Sequence, residues 1–227
     1  MTFDLSVLSG YWPELATGLG STVWLCASGA AMSGVLGVLL TVGQRRGGPW
    51  LAAMIRGYTA LTLGLPLLVL LYVTYFVLPD FGVLLPAPLV GTLTLAIYYG
   101  PYVAEVIQAA VAAVPAGTIE AGVAIGMSPV AIVRRIIAPQ ALPLLLPTLT
   151  GLLIGLVKDS ALLSVISVHE FMFAAKAVVS DTYAPLEVYF VVAMVYWAVT
   201  SVIHLSTRHW ERRLGRAHRV ALPRGPA

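Results

Sequence analysis

Two ionisable positions lie within or beside long apolar stretches of this sequence. The first is the run Lys158-Asp159-Ser160, and the second is Glu105 within the stretch YYGPYVAEVIQ. Charge at depth in an apolar phase is costly, and such groups usually face a cavity or a partner. Both positions are therefore candidates for lining a path that a solute follows.

Each position also has an ordinary structural explanation. Lys158 can extend its ammonium group outward to an aqueous interface beside Asp159. Glu105 can lie at the end of its helix and meet Arg56. The sequence leaves these explanations open beside a role in a solute path.

Aromatic side chains surround a Gly-Pro pair just before the second carboxylate. These are Tyr98, Tyr99 and Tyr102. We expect the Gly-Pro pair to kink or loosen a helix, and transporters place such breaks where a cavity forms. The tyrosines can stack on, or hydrogen-bond to, a zwitterionic solute, or they can be interfacial belt residues.

Other chemistry finds little support in the residue pattern. No stretch has the form GxxxxGK followed by Ser or Thr that cradles nucleotide phosphates, so we expect no ATPase site in this chain. The histidines are scattered without acidic residues at metal-ligand spacing, and the single cysteine, Cys26, can build neither a disulfide nor a cysteine metal site. We expect no enzyme activity, cofactor or metal in the chain itself.

The apolar stretches are long enough to cross a membrane. Hydrophobic residues make up 59% of the chain and charged residues only 10%, against about 25% charged in a soluble domain. Five gaps between charges reach the roughly 20 residues that a transmembrane helix needs. They predict an all-α integral membrane protein, with a single domain over residues 1–217 and a disordered tail over residues 218–227. The expected helices are residues 19–42, 58–77, 88–109, 142–164 and 188–205.

The arginines indicate the orientation of these helices. Every arginine falls in the first connection, in the third connection or after the last helix, whereas most acidic residues fall on the other side. Lys and Arg in short loops are retained in the cytoplasm. We therefore expect the N-terminus outside and the C-terminus in the cytoplasm.

The third connection, about residues 115–140, is far longer than the usual 2 to 8 residues or so. We expect it to form two short helices. Thr118 starts the first helix, with Glu120 in its opening turn, where a carboxylate complements the helix dipole. Gly126 is a plausible C′ residue in the left-handed conformation.

The second short helix has its own start and stop signals. Ser128 and Pro129 form an N-cap and N1 pair, and Pro139 is expected to end the helix. Arg134 and Arg135 are expected on the aqueous side. The apolar stripe would consist of Ile132, Val133, Ile136 and Ile137.

This connection, EAGVAIGMSPVAIVRRIIAPQ, resembles the cytoplasmic loop shared by permease subunits of ABC importers. The residues on the family spacing are Glu120, Ala121, Gly126, Ile136 and Pro139. Gly122 stands in place of the usual third alanine and Ala138 in place of a usual leucine. The flanking stretches GLPLLVLLYVTYFVLP, YYGPYVAEVI, PQALPLLLP and KDSALLSVISVHEF resemble polar amino-acid permeases of the histidine and glutamine type.

The resemblance implies a type I permease of a bacterial ABC importer that moves amino acids across the inner membrane. It implies a second permease subunit (a paralogue or a second copy), ATPase subunits that bind ATP and Mg²⁺, and a periplasmic or lipid-anchored solute-binding protein, with no role for nucleic acid. The implied ATPase-coupling residues are Glu120, Ala121, Gly122, Gly126, Ser128 and Pro139. The substrate-path candidates are Tyr99, Tyr102, Glu105, Lys158, Asp159 and Ser160.

Two departures from the family pattern affect the expected substrate site. Leu63 and Gln108 stand where relatives carry or often carry arginine. If those arginines hold substrate or the dimer in relatives, this subunit lacks them. One hypothesis is that the chain is the less specialised half of a heterodimer.

Two other functions are compatible with the sequence. An ion-coupled secondary transporter would use Glu105 and Asp159 as coupling carboxylates, although the inverted repeats of many such folds are not evident. A membrane scaffold would use the cytoplasmic hairpin only to recruit a partner. ATP-independent uptake would indicate the first, and an absence of solute uptake the second.

Overall fold

The computed structural model describes the backbone of residues 3–221 and the side chains of residues 3–209. All regular structure in this part is helical. The α-helices are α1 Trp12–Arg46, α2 Pro49–Gly64, α3 Leu67–Tyr72, α4 Ala87–Ala112, α5 Ala116–Ala124, α6 Pro129–Ile132, α7 Ala138–Asp159, α8 Phe171–Thr182 and α9 Pro185–Ala221. Wide π-helical turns, Val73–Val77 and Val133–Ile137, follow α3 and α6, and a 3-10 stretch, Ser160–Ile166, follows α7.

Four helical runs are long and apolar enough to cross a membrane. They are Trp12–Arg46, Ala87–Ala112, Pro129–Ile166 and Pro185–His209. A fifth span exists if α2 and the helical run Leu67–Phe81 count as one, and these two are bent by 109°. The architecture therefore agrees with the all-α fold of about five spans.

The second span is not the continuous helix expected over residues 58–77. Leu65 and Pro66 interrupt it, with Leu65 in an extended conformation (φ −104°, ψ 138°). A residue before proline is disfavoured in the α-helical conformation because the proline ring crowds its backbone. The bend is the local consequence of Pro66.

In contrast, α4 stays helical through Pro101. The preceding Gly100 instead permits close packing, because a Cβ there would lie 2.6 Å from Cδ2 of Leu36 on α1. Gly37 makes the reciprocal approach, since its Cβ would lie 2.5 Å from Cγ1 of Val103. Small residues that bring helices together are typical of membrane proteins, and here they join α1 to α4.

The connection between α7 and α8, residues 160–170, is buried against the bundle, and we call it the outer strap. Leu163, Ile166 and Val168 of the strap are each at most 2% exposed and belong to the core cluster that contains Tyr99 and Leu156. The strap is therefore part of the packed interior. A second core cluster packs α8 against α1 and α9 around Phe171.

The tail predicted over residues 218–227 falls largely outside the description. The backbone of α9 is described to Ala221, and residues 222–227 lie outside the described residues.

Candidate functional site

The hairpin between α4 and α7 begins earlier than the sequence predicted. Its first helix, α5, starts at Ala116, with Pro115 in the N-cap position. The prediction that Thr118 starts the helix is wrong by two residues, because the extended Pro115 already sets the helix start. Glu120 consequently lies in the second turn, exposed, and the predicted favourable placement beside the dipole does not hold, since that effect is confined to the first turn.

Gly126 ends α5 as predicted. It has φ +78°, and its N–H donates to the carbonyl of Val123 at 2.9 Å. The next N–H, of Met127, donates to the carbonyl of Gly122 at 3.0 Å. These two bonds form a Schellman motif. The left-handed residue turns the chain sharply between α5 and α6.

Ser128 caps α6 as predicted. Its Oγ accepts a hydrogen bond from the N–H of Ala131 at 3.3 Å, and Pro129 occupies the first turn. Pro139 does not end this helix, contrary to the prediction. The helical run continues into α7 because Val133–Ile137 form a wide π-helical turn just before Pro139, which lacks an N–H to donate.

Large apolar side chains are exposed on the hairpin. Val123, Ile125 and Val130 are 61%, 78% and 72% exposed, on both sides of the Gly126 turn. Val133, predicted in the apolar stripe, is half exposed and is the first residue of the π-helical turn. We call these four residues the docking patch. A patch of this kind marks an interaction site.

The inner face of the hairpin is packed. Gly122 is buried, and a Cβ there would lie 2.6 Å from Cδ1 of Ile136. The base is a cluster of Ala110, Val114 and Ala141. Because Ala110 belongs to α4 and Ala141 to α7, the base of the hairpin is packed against two spans. Ala121 is exposed beside Glu120.

The other candidate residues separate into distinct places. The hydroxyl of Tyr99 donates to Oδ2 of Asp159 at 2.8 Å, which joins the middle of α4 to the end of α7. The hydroxyl of Tyr102 donates to that of Tyr98 at 3.3 Å. The ring centroids of Tyr98, Tyr99 and Tyr102 lie within 6.0 Å of one another. The structure thus brings one carboxylate and the three tyrosines together.

Lys158, Ser160 and Glu105 lie apart from that group. Lys158 is exposed and lies in a different cleft, with Met172 and Trp197. Ser160 is fully buried, and its hydroxyl donates to the carbonyl of Val157 at 2.8 Å.

Glu105 is exposed and lines a cleft of about 450 Å³ with Leu144 and Thr148 of α7. It makes no hydrogen bond or ion pair with Arg56 in the described part of the chain. The predicted meeting of these two side chains is therefore absent.

The sequence reasoning missed two features. The exposed positions of Val123, Ile125 and Val130 carry no local signal, since apolar residues are expected at a buried face. Glu170 was given no role from the sequence, yet it is fully buried and caps α8, accepting from the N–H of Phe173 at 2.8 Å. A carboxylate three residues before that N–H is a possible cap signal.

The arrangement can bind a partner and admit a solute. No group of three His, Cys, Asp or Glu residues suited to a metal ion occurs among the described residues. The hairpin offers an apolar surface, and the Tyr99–Asp159 pair offers a carboxylate with an aromatic wall.

Comparison with known proteins gives consistent results. The model of the family described as "Binding-protein-dependent transport system inner membrane component" matches residues 33–216. A probable amino-acid ABC transporter permease of Sinorhizobium fredii is 33% identical over 92% of this chain and 88% of its own. The glutamine transport system permease of Escherichia coli is 32% identical over 94% of this chain and 99% of its own.

Solved structures agree in fold. The crystal structure of an amino acid ABC transporter with histidines has a TM-score of 0.87 and 31% identity, covering 94% of this chain and 100% of that one. An inward-facing methionine ABC transporter has a TM-score of 0.75 at 21% identity, covering 89% and 97%, and shows likeness of fold alone.

Proposed function

This chain belongs to the family of binding-protein-dependent transport system inner membrane components, and from that premise we propose that it is the permease subunit of an ATP-driven importer of amino acids. The relatives' names support the substrate class, since the two permeases and the transporter structure named above all concern amino acids. The chain supplies the path, while separate subunits supply the energy and deliver the solute. It sits in the inner membrane as a multi-pass protein.

The observation that carries this proposal is the docking patch on the hairpin. Val123, Ile125 and Val130 present apolar surface around the rigid turn at Gly126, while the base of the hairpin packs between α4 and α7. A protein that buried this patch would gain the hydrophobic free energy of burying it. The partner that fits is an ATPase subunit with an apolar groove, whose closure would push the hairpin and rock the spans.

For coupling we assign separate roles to the hairpin residues. Gly126 supplies the turn, Ser128 caps α6, and Gly122 allows Ile136 to pack closely. Glu120 and Ala121 are exposed and available to the ATPase. At the junction with α7, the π-helical turn and Pro139, which has no N–H, interrupt the regular α-helical hydrogen bonds, so we expect this junction to bend more easily.

For the substrate path we propose the group of Tyr99, Tyr102 and Asp159. A zwitterionic amino acid carries an ammonium group, which a carboxylate and aromatic faces attract. Glu105 would line the cytoplasmic part of the path, about 9 Å along α4 from Tyr99 at 1.5 Å per residue. Lys158 and Ser160 face elsewhere, which favours supporting roles for them.

The second permease subunit is either a copy of this chain or a paralogue. Gln108, which stands in place of an arginine, has its side-chain nitrogen buried without a hydrogen-bond partner among the described residues. A subunit without the arginines at positions 63 and 108 would suit the heterodimer hypothesis. Transport by a homodimer with its ATPase would contradict that hypothesis.

The test is reconstitution in proteoliposomes with the ATPase subunits and the solute-binding protein that pair with this chain. Radiolabelled amino acids should accumulate only with ATP on the hydrolysis side and binding protein on the other. Uptake driven by an ion gradient without ATP would point to a secondary transporter. ATP hydrolysis with no uptake of any amino acid would contradict the proposed function.

A further inference from the structure

A buried carboxyl group lies in the outward connection, away from the hairpin and from the Tyr99–Asp159 pair. Glu170 is fully buried, and among the described residues it is the one charged side chain that is buried. Burying a carboxylate is costly unless it is fully hydrogen-bonded. The contacts of Glu170 therefore indicate what it holds in place.

Glu170 receives hydrogen bonds from three different segments. Its Oε1 accepts from the N–H of Phe173 in α8 at 2.8 Å. Its Oε2 lies 3.2 Å from the hydroxyl of Thr22 on α1 and accepts from the hydroxyl of Tyr196 on α9 at 3.4 Å. The Thr22 hydroxyl in turn accepts from the N–H of Phe171 at 3.0 Å. One carboxyl group therefore links α1, α8 and α9.

The backbone of α1 also approaches this point closely. A Cβ on Gly18, one turn before Thr22, would lie 3.1 Å from both the carbonyl oxygen of Glu170 and the Cα of Phe171. These are backbone atoms, which cannot move aside as a flexible side chain can. The contact between α1 and the outer end of the strap is therefore closely fitted.

The strap connects this contact to the substrate path. It begins immediately after Asp159, and its 3-10 stretch packs in the same core cluster as Tyr99. At its far end Ser167 has φ +61°, an uncommon conformation for a residue with a side chain. A closely packed strap with fixed ends transmits a displacement from one end to the other.

We propose that Glu170 is a positioning residue for transport, fixing the outer strap to α1 and α9 so that these helices move together with Asp159 when the path opens. This inference rests on the proposed function, because it uses Asp159 as a substrate-path residue. The bonds of Thr22 and Tyr196 to the carboxyl group, and that of the Phe171 N–H to Thr22, join this end of the strap to α1 and α9. Without them the strap and its carboxylate are no longer tied to the outer spans.

The native cysteine provides a probe of this linkage. Cys26 lies one turn after Thr22 on α1 and is 5% exposed. It lines an apolar cleft of about 450 Å³ between α1, α7 and α9, with Val157 and Tyr196 among the other lining residues. Separation of α1 from α9 would expose its thiol to a small reagent such as N-ethylmaleimide.

The experiment compares Glu170→Gln and Thr22→Val with the native chain in the assembled transporter. Two quantities are measured: the rate at which N-ethylmaleimide labels Cys26, read by mass spectrometry of this chain, and the amino acid taken up per ATP hydrolysed. We expect labelling to accelerate about tenfold, since hydrogen bonds to a charged group are lost. We expect uptake per ATP to fall several-fold.

The matched control is Thr17→Val. Thr17 lies on the same helix, and among the described residues its hydroxyl bonds only to the carbonyl of Pro13, at 2.8 Å. Neither quantity should change in this variant. Thr22→Val keeps the shape of the side chain and serves if Glu170→Gln does not fold.

The possible outcomes separate this proposal from the function on which it rests. Unchanged labelling in both variants overturns the linkage whether or not uptake is observed. Faster labelling with unchanged uptake per ATP overturns the role in transport, since a merely structural bond would behave in that way. A native complex that takes up no amino acid, with faster labelling in the variants, supports the linkage and contradicts the proposed function.

Discussion

Tyr99 and Asp159 are joined side chain to side chain: the phenol hydroxyl donates to Oδ2 of the carboxylate at 2.8 Å. The tyrosine is 6% exposed, whereas the carboxylate is partly exposed. The bond therefore orients a carboxylate whose remaining lone pairs stay accessible. This is the geometry expected of a group that meets a solute, since its direction is fixed before the solute arrives.

Replacement of Tyr99 by Phe should weaken solute recognition without disrupting the fold. The ring stays in the core, but Asp159 loses its oriented donor. A bond to a charged group that is worth about 1.4 kcal/mol corresponds to a rise of about tenfold in the apparent KM for uptake. The measurement is initial uptake against amino-acid concentration in proteoliposomes.

The control for this variant is Tyr58→Phe. Tyr58 donates to the carbonyl of Ile97 at 2.6 Å between α2 and α4, so the variant removes a comparable hydroxyl bond outside the proposed path. The apparent KM should stay native in this variant. Equal rises in both would show that the effect of Tyr99→Phe is a general loss of packing.

Replacement of Ile125 by Ser should weaken binding of the ATPase subunit. Ile125 is 78% exposed on the hairpin, so the change costs the isolated chain little. Burial of an isoleucine side chain is worth about 1.5–3 kcal/mol, which predicts a dissociation constant raised at least about tenfold. Binding of purified ATPase to the permease in nanodiscs measures it.

In α5, which ends just before Ile125, Gly117→Ala adds a methyl group that meets no atom of another described segment within 4 Å. This control should bind the ATPase with native affinity. If Ile125→Ser also binds with native affinity, the docking patch is not where the ATPase sits.

Replacement of Gly126 by Val should uncouple the hairpin. The residue has φ +78°, and a β-branched residue held there costs about 1–3 kcal/mol. The Schellman turn would open, and the docking patch on its two sides would lose its shape. We expect normal membrane insertion, with ATP hydrolysis no longer matched by uptake.

Gly126→Asn supplies the comparison, because asparagine tolerates the left-handed conformation better than other residues with side chains. It should restore most of the uptake per ATP. Equal activity of the valine and asparagine variants would show that the conformation at this position does not matter for coupling.

What the sequence predicted correctly was mostly local. Gly126 and Ser128 act through their own neighbours, so their residue types were sufficient to place the turn and the cap. Charge-free length was likewise sufficient to place most spans. Pro139 was misinterpreted, because a wide turn upstream allows the helix to continue past it. The bend of 109° at Leu65 and Pro66 interrupts the span that charge-free length alone predicted as one helix.

The contacts between distant segments were beyond local reasoning. Tyr99 and Asp159 are 60 residues apart, and Thr22 and Glu170 are 148 apart. Nothing in the spacing of these residues indicates that they meet. Their meeting depends on how whole helices pack. Glycines on α1 such as Gly37 permit that packing because they have no side chain.

Replacement of Gly37 by Ala should destabilise the contact between α1 and α4. The added Cβ would lie 2.5 Å from Cγ1 of Val103 and 3.0 Å from the carbonyl oxygen of Gly100. Overpacking of this kind typically costs about 1–3 kcal/mol, more than the gain of up to about 1 kcal/mol in helix propensity. The thermal midpoint in detergent should fall.

Gly34→Ala is the paired variant, three residues earlier on the same helix, and its added Cβ meets no atom of another segment within 4 Å in the part of the chain that the structure describes. Only the propensity gain applies there, so the midpoint should stay level or rise. A fall of equal size in both variants would contradict close packing at Gly37.

The stability of the protein should depend on pH through Glu170, with a definite sign. Burial raises the pKa of this carboxyl group above its ordinary value of 4.5, despite hydrogen bonds from Met172, Phe173, Thr22 and Tyr196 that act in the opposite direction. The folded chain therefore keeps the proton to a higher pH than the unfolded chain does. As pH rises from about the ordinary value through the folded-state pKa, this group lowers the free energy of unfolding, and above that pKa its effect is constant.

The Glu170→Gln side chain does not ionise, so the free energy of unfolding of this variant does not fall with pH through this position. Relative to the native chain, its thermal midpoint in detergent, at a fixed scan rate, should rise as pH increases across that window, and above it the difference between the two midpoints should stay constant. Asp4→Asn provides the opposite case. The N–H and hydroxyl of Ser6 lower the pKa of Asp4 below 3.8, so its contribution is present at higher pH and lost only on acidification through the folded-state pKa. Between about pH 5 and 8 the difference in thermal midpoint between Asp4→Asn and the native chain should therefore stay constant. If the difference for Glu170→Gln is also independent of pH, the buried carboxyl group has no raised pKa.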